Sequence, residues 1–352
     1  MRLTGPIEII GTGLLGTSVG LACRRAGFEV LLTDVAAEHV RTASGLGAGR
    51  PRRPEDDPQL VVVCVPPALL GDVIANALAA SDAVVTDVGS VKSAPLAALG
   101  EDVATGRYVG GHPMAGSERS GPLAASASLF DGRPWAVTPG AFARPEAIEL
   151  VEELAVLCGG VPVRMTPEEH DSAVARISHV PHLMAALMAA RLAHAPTDHL
   201  ALSGQGVRDV TRVAAGDPAL YGQIVAGNAP AVVALLGEVR EQLDVLIEAV
   251  GSADRSRLEE LLGEGVEGTR AIPAKHGGPI TPMRSVFVSV PDHPGELARL
   301  FADAGESGVN VEDVRIDHDP GRPVGLVELV VAADSADHLL TSLESREWVT
   351  HR

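Results

Sequence analysis

The sequence predicts a Rossmann-type α/β domain, then an all-α domain, then a small ferredoxin-like module of order βαββαβ. Three observations carry this. Near the N-terminus a glycine-rich turn sits between a short apolar strand and a helix. Short apolar runs of strand character recur to about residue 165 and then give way to helical periodicity. After the Pro/Gly stretch "PAKHGGPITP" the chain returns to short strands alternating with helices. The expected divisions are residues 1–165, 166–274, a linker at 275–284, and 285–352.

In "IEIIGTGLLGTSVGLACRRAGFEVLLTDV", Ile7, Ile9 and Ile10 make a buried strand, and Gly11, Gly13 and Gly16 follow as G-x-G-x-x-G. Thr17 to Ala26 reads as a helix that Gly27 ends, and "FEVLLTD" as a second strand ending at Asp34. Gly11 permits a tight turn, Gly13 lets backbone approach a pyrophosphate, and Gly16 lets the helix pack on the strand. The helix N-terminus offers unpaired N–H groups to phosphate. Thr12, Leu14 and Leu15 complete this cofactor turn. Asp34 can accept from a ribose 2′-hydroxyl and repels a 2′-phosphate, so the expected cofactor is NAD rather than NADP.

"LVVVCVPP" (residues 60–67) reads as a central parallel strand stopped by prolines, which places Val65 and Pro66 beside the dinucleotide. Ala83 to Asp87 is the next strand, followed by a Gly-Ser loop bearing Ser90. A further short strand leads to His112, and another covers Trp135 to Thr138. Gly110, Gly111, Pro113, Gly116 and Gly121 in "GGHPMAGSERSG" mark a loop around His112. Ser90 and His112 are thus expected after strand carboxyl ends, where open α/β sheets bind ligands.

The second domain opens with "HDSAVARISHVPHLMAALMAARLA". Asp171, Ala175, Ser178 and His182 fall in a narrow arc at the helical period, with His179 beside it. Two histidines in an apolar helix are either satisfied packing or, with Ser178, a functional polar face. Pro181 should kink the helix or free a carbonyl. No metal-ligand spacing is evident. "GQGVRDVTRVAAGDPALYGQI" supplies Arg208 and Arg212, and Asp217-Pro218 restarts a helix as N-cap and first residue. From Asn228 a long helix carries Leu236, Val239, Leu243, Leu246 and Val250 on one seam, either core or dimer interface. The tail beyond residue 285 shows no nucleophile, metal cluster or phosphate loop, so regulation or assembly is its expected role.

Hydrophobic residues make up 46% and charged residues 21%, ordinary for a soluble globular chain. The net charge of −18 argues against a general nucleic-acid binder and means that an anionic substrate needs local cations. Three cysteines without disulfide or metal spacing suit a reducing cytoplasm. A strand pattern by Ile7 leaves no expected signal peptide, and no apolar run free of breakers reads as a membrane span.

Taken in order, "GTGLLGTS", "TDVGSVK", "GGHPMAGSERSG", "ISHVPH", "RDVTR" and "DHPGELA" resemble the prephenate and arogenate dehydrogenases of tyrosine biosynthesis, with a tail that resembles an ACT domain. The resemblance implies NAD-dependent oxidative decarboxylation of a cyclohexadienyl substrate. It implies that His112 accepts the proton of the C4 hydroxyl, that Ser90 shares that contact, and that Arg212 binds a substrate carboxylate. It places Ser178 and His179 by the cofactor, His182 by the substrate, and Ser117 and Glu118 on the loop at the substrate entrance. It also implies a homodimer and a tyrosine effector held by Asp292, His293, Pro294, Gly295 and Asn310. Tyr221 and Val207 depart from the family's common tryptophan and phenylalanine. The runner-up, a β-hydroxyacid dehydrogenase, resembles this layout but uses a lysine in the helical domain, and the two lysines here are Lys92 and Lys275. A non-catalytic NAD-binding sensor would leave the polar residues grouped by the resemblance unexplained.

Overall fold

A computed structural model describes residues 2–100, 106–116, 119–272, 282–318 and 324–351. The chain divides into two compact units, residues 1–244 and 245–352.

The first unit opens with a parallel sheet. Strands β1 (Ile7–Ile10), β2 (Val30–Thr33), β3 (Arg50–Pro51), β4 (Leu60–Val63) and β5 (Val84–Asp87) stand in the order β3-β2-β1-β4-β5. Ile9 lies opposite both Leu32 and Val62. The order reverses between β1 and β4, the switch point at which such sheets bind dinucleotides. Between the strands run α1 (Leu14–Arg25), α2 (Ala37–Gly45) and α3 (Leu70–Ala80), and α4 (Ser93–Leu99) follows β5. A second sheet of β6 (Val109–Pro113), β7 (Pro134–Pro139) and β8 (Val161–Arg164) joins the first through a parallel bridge between Val85 and Tyr108. Helix α5 (Pro145–Leu157) connects β7 to β8 and buries Leu150, Val151 and Leu154. The strands read as continuous apolar runs because helices cover the sheet, leaving Ile7, Ile9, Leu60 and Val62 wholly buried.

Two local expectations change. Helix α1 starts at Leu14 rather than Thr17, so the last glycine of the motif lies inside its first turn. His112 lies within β6, opposite Ala136, rather than on a loop. Its glycines serve close packing. A Cβ on Gly110 would fall 2.4 Å from Thr138 Oγ1, and one on Gly111 would fall 2.7 Å from the Asp87 carbonyl oxygen.

The helical part of this unit holds α6 (Pro167–Val174), α7 (Val180–Leu192), α8 (Thr197–Leu200), α9 (Gln205–Thr211) and α10 (Pro218–Gly227). It ends in α11 (Ala229–Gly251), inside which the two units divide. A capping box starts α6: Glu169 N donates to Thr166 Oγ1 at 3.1 Å, and Thr166 N donates to Glu169 Oε2 at 2.8 Å. Ala175–His179 form a π-helical turn just ahead of Pro181, which has no N–H to donate. The helix therefore runs on from Pro167 to Leu192. Contrary to expectation, that run is long and apolar enough to cross a membrane. Here its buried positions include His170, Asp171, His179 and His182. Asp217 caps α10 as expected, accepting from Ala219 N at 2.8 Å. The helical core is small: Ala175, Val180 and Val232 are buried, with Leu236 and Val239 packed against them. Further along the same seam, Leu243 is 46% and Val250 61% exposed.

The second unit contains α12 (Arg255–Arg270), β9 (Met283–Pro291), α13 (Glu296–Glu306), β10 (Val311–His318), β11 (Val324–Ala332), α14 (Ala336–Glu344) and β12 (Val349–His351). From β9 onward this is the expected βαββαβ order, in an antiparallel sheet β10-β11-β9-β12. Val286, Val288, Leu300, Leu329, Leu339 and Trp348 form its core. Strand β9 begins at Met283, inside the expected linker, whose residues up to 281 lie outside the described residues.

Candidate active site

The glycine turn has the shape that a pyrophosphate requires. Gly11 adopts φ +97°, and a Cβ there would lie 2.4 Å from the Cys64 carbonyl oxygen and 3.3 Å from Val65. A Cβ on Gly16 would collide with the Gly11 carbonyl, so the helix packs on the turn only with glycine there. A Cβ on Gly13 would meet nothing within 4 Å. Its open side is where a bound phosphate can approach backbone. No side chain caps the N-terminus of α1, and no acid lies in its first turn. Both features favour an anion there.

Asp34 stands at the end of β2 beside this turn. Thr12 donates to its Oδ2 from backbone N at 2.6 Å and from Oγ1 at 3.0 Å, and Ala36 N donates to Oδ1 at 2.9 Å. Burial pushes the carboxyl up, but these bonds outweigh it and hold Asp34 below its ordinary value. An ionised, oriented carboxylate at this place suits a ribose diol. The residues present therefore fit a dinucleotide.

A buried ion pair sets the strand ends in place. Lys92 Nζ donates to Asp87 Oδ2 and, at 2.7 Å, to the Gly111 carbonyl. Asp87 also accepts from Tyr108 Oη at 2.9 Å, Gly89 N at 2.8 Å and Gly111 N at 3.3 Å. Both side chains of the pair are wholly buried. Burial lowers the Lys92 pKa even though Asp87 pulls it up. The pair clamps the loop bearing Ser90 to the backbone next to His112. Lys92, without a role in the sequence reading, thus holds two site residues together.

Over this clamp lies the helical face. Asp171 Oδ1 accepts from Lys92 N at 2.9 Å, and Oδ2 accepts from Ser93 N at 2.8 Å. His170 Nδ1 lies 2.8 Å from Asp171 Oδ1, and His170 Nε2 lies 2.9 Å from His112 Nδ1. Asn228 Nδ2 donates to the Asp171 carbonyl at 2.7 Å and lies 3.1 Å from His179 Nδ1. That contact makes His179 Nδ1 the acceptor and leaves its proton on Nε2. His182 stacks flat on Tyr221, ring centroids 3.4 Å apart, and its buried Nδ1 has no partner among the described residues. Tyr221 thus supplies an aromatic face against His182.

Burial, with His170, Lys92 and His179 nearby, holds the His112 imidazole well below its ordinary value. Burial likewise lowers His179 and His182. These rings are therefore neutral at neutral pH. A neutral imidazole near the carboxyl end of a strand is equipped to take a proton.

The structure brings Ser90, His112 and His179 into one region through Lys92, Asp171 and Asn228. Ser178 is exposed on the π-helical turn, and Pro66 is exposed at the start of the turn after β4. Arg212 opens a short 3-10 turn after α9, is exposed, and keeps its charge free of any ion pair among the described residues. Ser117 and Glu118 lie outside the described residues. Sequence reading missed His170, Asn228 and the Asp87–Lys92 pair. It placed Asp171 on the right helical arc without giving it a role.

A glycine cradle with an acid at the next strand end, joined to a helical domain that brings neutral histidines over the strand ends, defines a nicotinamide-dependent dehydrogenase. Two family models match the chain: "Prephenate dehydrogenase, nucleotide-binding domain" over residues 19–164 and "Prephenate dehydrogenase, dimerization domain" over residues 166–264. A probable prephenate dehydrogenase of Streptomyces niveus is 38% identical over 97% of this chain and 98% of its own. The solved structure of Aquifex aeolicus prephenate dehydrogenase, in complex with hydroxyphenyl propionate and NAD+, is 28% identical. It covers 76% of this chain and 98% of its own at a TM-score of 0.69. Synechocystis arogenate dehydrogenase is 26% identical over 75% of this chain and 98% of its own, at 0.66. The chain belongs to the prephenate dehydrogenase family, and it is an NAD-dependent oxidoreductase.

Proposed function

We propose that the chain converts prephenate to 4-hydroxyphenylpyruvate and CO2, with NAD as hydride acceptor. The observation that carries this reading is the placement of the His112 imidazole on β6, with its Nδ1 against His170 and its neighbour Gly111 tied by Lys92 to the loop that bears Ser90. Bound NAD supplies the hydride acceptor. His112 takes the proton of the C4 hydroxyl as the C4 hydride departs, with Ser90 sharing the hydroxyl contact. The C1 carboxylate then leaves as CO2, its bonding pair enters the ring, and the proton returns to oxygen as the phenol forms. Arg212 supplies the fixed cation that a dianionic substrate needs in a chain of net charge −18. His182 and Tyr221 wall the substrate side, and Ser178 and His179 the cofactor side. NADH formation is measured with prephenate, arogenate and a simple 3-hydroxy acid. Preference for arogenate would make tyrosine the direct product, and activity with the 3-hydroxy acid alone would defeat the proposal.

Assembly follows from the exposed apolar surface. The helical core is too small to cover α11, and Leu243, Ile247 and Val250 stay exposed. Such a patch on a helical domain supports a homodimer. We further propose the division 1–165, 166–274 and 285–352 as functional domains, a cytoplasmic location, and an ACT-type role for the tail. There Gly295, at φ +98°, opens α13 after the turn of Asp292, His293 and Pro294. Asn310 donates to Glu312 at 2.5 Å, a bond that an arriving amino acid would exchange for its own polar groups. Tyrosine is the proposed effector, and inhibition by binding here requires it to favour an inactive arrangement. Tyrosine that inhibits only by competing with substrate would refute this role.

A further inference from the structure

His112 is the end of a three-residue chain of contacts from β6 into α6. Its Nδ1 lies 2.9 Å from Nε2 of His170, whose Nδ1 lies 2.8 Å from Oδ1 of Asp171. His170 and Asp171 are 1% and 4% exposed, so water does not complete their bonding. Asp171 already accepts the backbone N–H groups of Lys92 and Ser93 at the start of α4. With donors on both oxygens it is a carboxylate, and a carboxylate only accepts. The proton between His170 and Asp171 therefore sits on His170 Nδ1. His112 Nδ1 is engaged with His170, so the nitrogen that His112 can offer as a base is Nε2. A neutral His112 that acts as a base at Nε2 carries its one ring proton on Nδ1, where His170 Nε2 accepts it.

We propose that His170 and Asp171 are positioning residues that lock His112 in its Nδ1–H tautomer, making Nε2 the atom that takes the substrate's hydroxyl proton. This rests on the reading of His112 as general base and adds which nitrogen acts and what fixes it. The opposite tautomer would place an N–H where a base is needed. When Nε2 takes the proton, the O–H bond breaks and an N–H bond forms. The imidazolium keeps its Nδ1–H bond to His170 Nε2, and the Asp171 carboxylate at the far end stabilises the new charge. The proton returns to oxygen as the ring becomes aromatic, so nothing needs to pass through His170. A buried acid that holds a catalytic imidazole in the correct tautomer is worth up to ~10⁴-fold in turnover in the serine-protease triad. Here a second histidine is interposed.

The full-length protein, its His170→Gln and His170→Leu variants, and His112→Asn provide the test. In 15N-histidine NMR spectra the ring that disappears in His112→Asn is His112, and its couplings report which nitrogen is protonated. Wild type should show Nδ1 protonated. Gln retains an oxygen that accepts from His112 Nδ1, so it should keep that tautomer and most of the turnover. Leu has no acceptor, so it should release the tautomer and lower turnover by ~10²-fold or more, within the range of general-base effects, with NAD affinity unchanged. Protonation at Nε2 in wild type would overturn the proposal, even if His170→Leu does not fold. Wild-type turnover in His170→Leu would overturn it too, as would equal loss in the Gln and Leu variants. Near-normal turnover in His112→Asn would instead reject the general-base reading, a result separate from the tautomer seen in wild type.

Discussion

At the scale of single residues, His112 and Arg212 have opposite environments, and their variants should fail differently. His112 is half-buried, neutral and fixed by His170, so it suits an event in the transition state. His112→Asn should lower turnover by ~10²–10⁴-fold and leave NAD affinity nearly intact, because the cofactor cradle is built from β1, α1 and Asp34. Stopped-flow hydride transfer and NAD titration separate the two effects. Arg212 is exposed, and a planar guanidinium can pair both oxygens of a carboxylate. A carboxylate contact made before and during reaction is uniform binding. Arg212→Ala should therefore raise the Michaelis constant chiefly. A variant with unchanged Michaelis constant and depressed turnover would place Arg212 elsewhere in the reaction.

At the scale of elements, the clamp between the loop after β5 and β6 depends on one buried charge pair. Lys92→Met would leave the wholly buried Asp87 carboxylate without its cation. Breaking a buried pair from one side typically costs about 3–5 kcal/mol. Denaturant unfolding should show a loss of that order, and adding Asp87→Asn should recover part of it; an unchanged midpoint in Lys92→Met would refute the clamp. The legibility of the sequence divides along the same line. The cofactor cradle was readable because its parts are contiguous: an apolar strand, three spaced glycines, a helix, and an acid at the next strand end. The tail's element order was readable for the same reason. By contrast, β6 looked like a loop because glycine is both a turn signal and a close-packing signal, and only the nearness of Thr138 and Asp87 decides between them. His170 and the role of Asp171 were hidden because their contacts join residues 58 and 79 positions apart. No local period reports such a contact.

At the scale of the whole molecule, the site's neutral histidines should make folding stability fall in mild acid. In the folded chain His112, His179 and His182 are all lowered from the ordinary 6.5, burial being the first cause in each case. In the unfolded chain they regain ordinary values, so as pH falls below about 6.5 the unfolded state binds protons first. Their contribution is therefore fully present above that pH and is lost progressively as pH falls toward the folded values. Asp171 has the same sign at lower pH: its bonds to His170, Ser93 and Lys92 outweigh burial and hold it below the ordinary 3.8, so its contribution is lost further into acid. The net charge of −18 works in the opposite direction, since protonating carboxylates relieves repulsion. Most carboxylates titrate near pH 4, however, and histidines dominate the window above about pH 5. Thermal unfolding should thus give a flat Tm above about pH 7 and a declining Tm between about pH 6.5 and 5. His182→Phe would keep an aromatic ring against Tyr221 and remove one titrating group, so it should make that decline shallower. A Tm that stays level from pH 7 to 5 in the unaltered protein would mean that the histidines are not held neutral in the fold, and the general-base reading of His112 would lose its physical support.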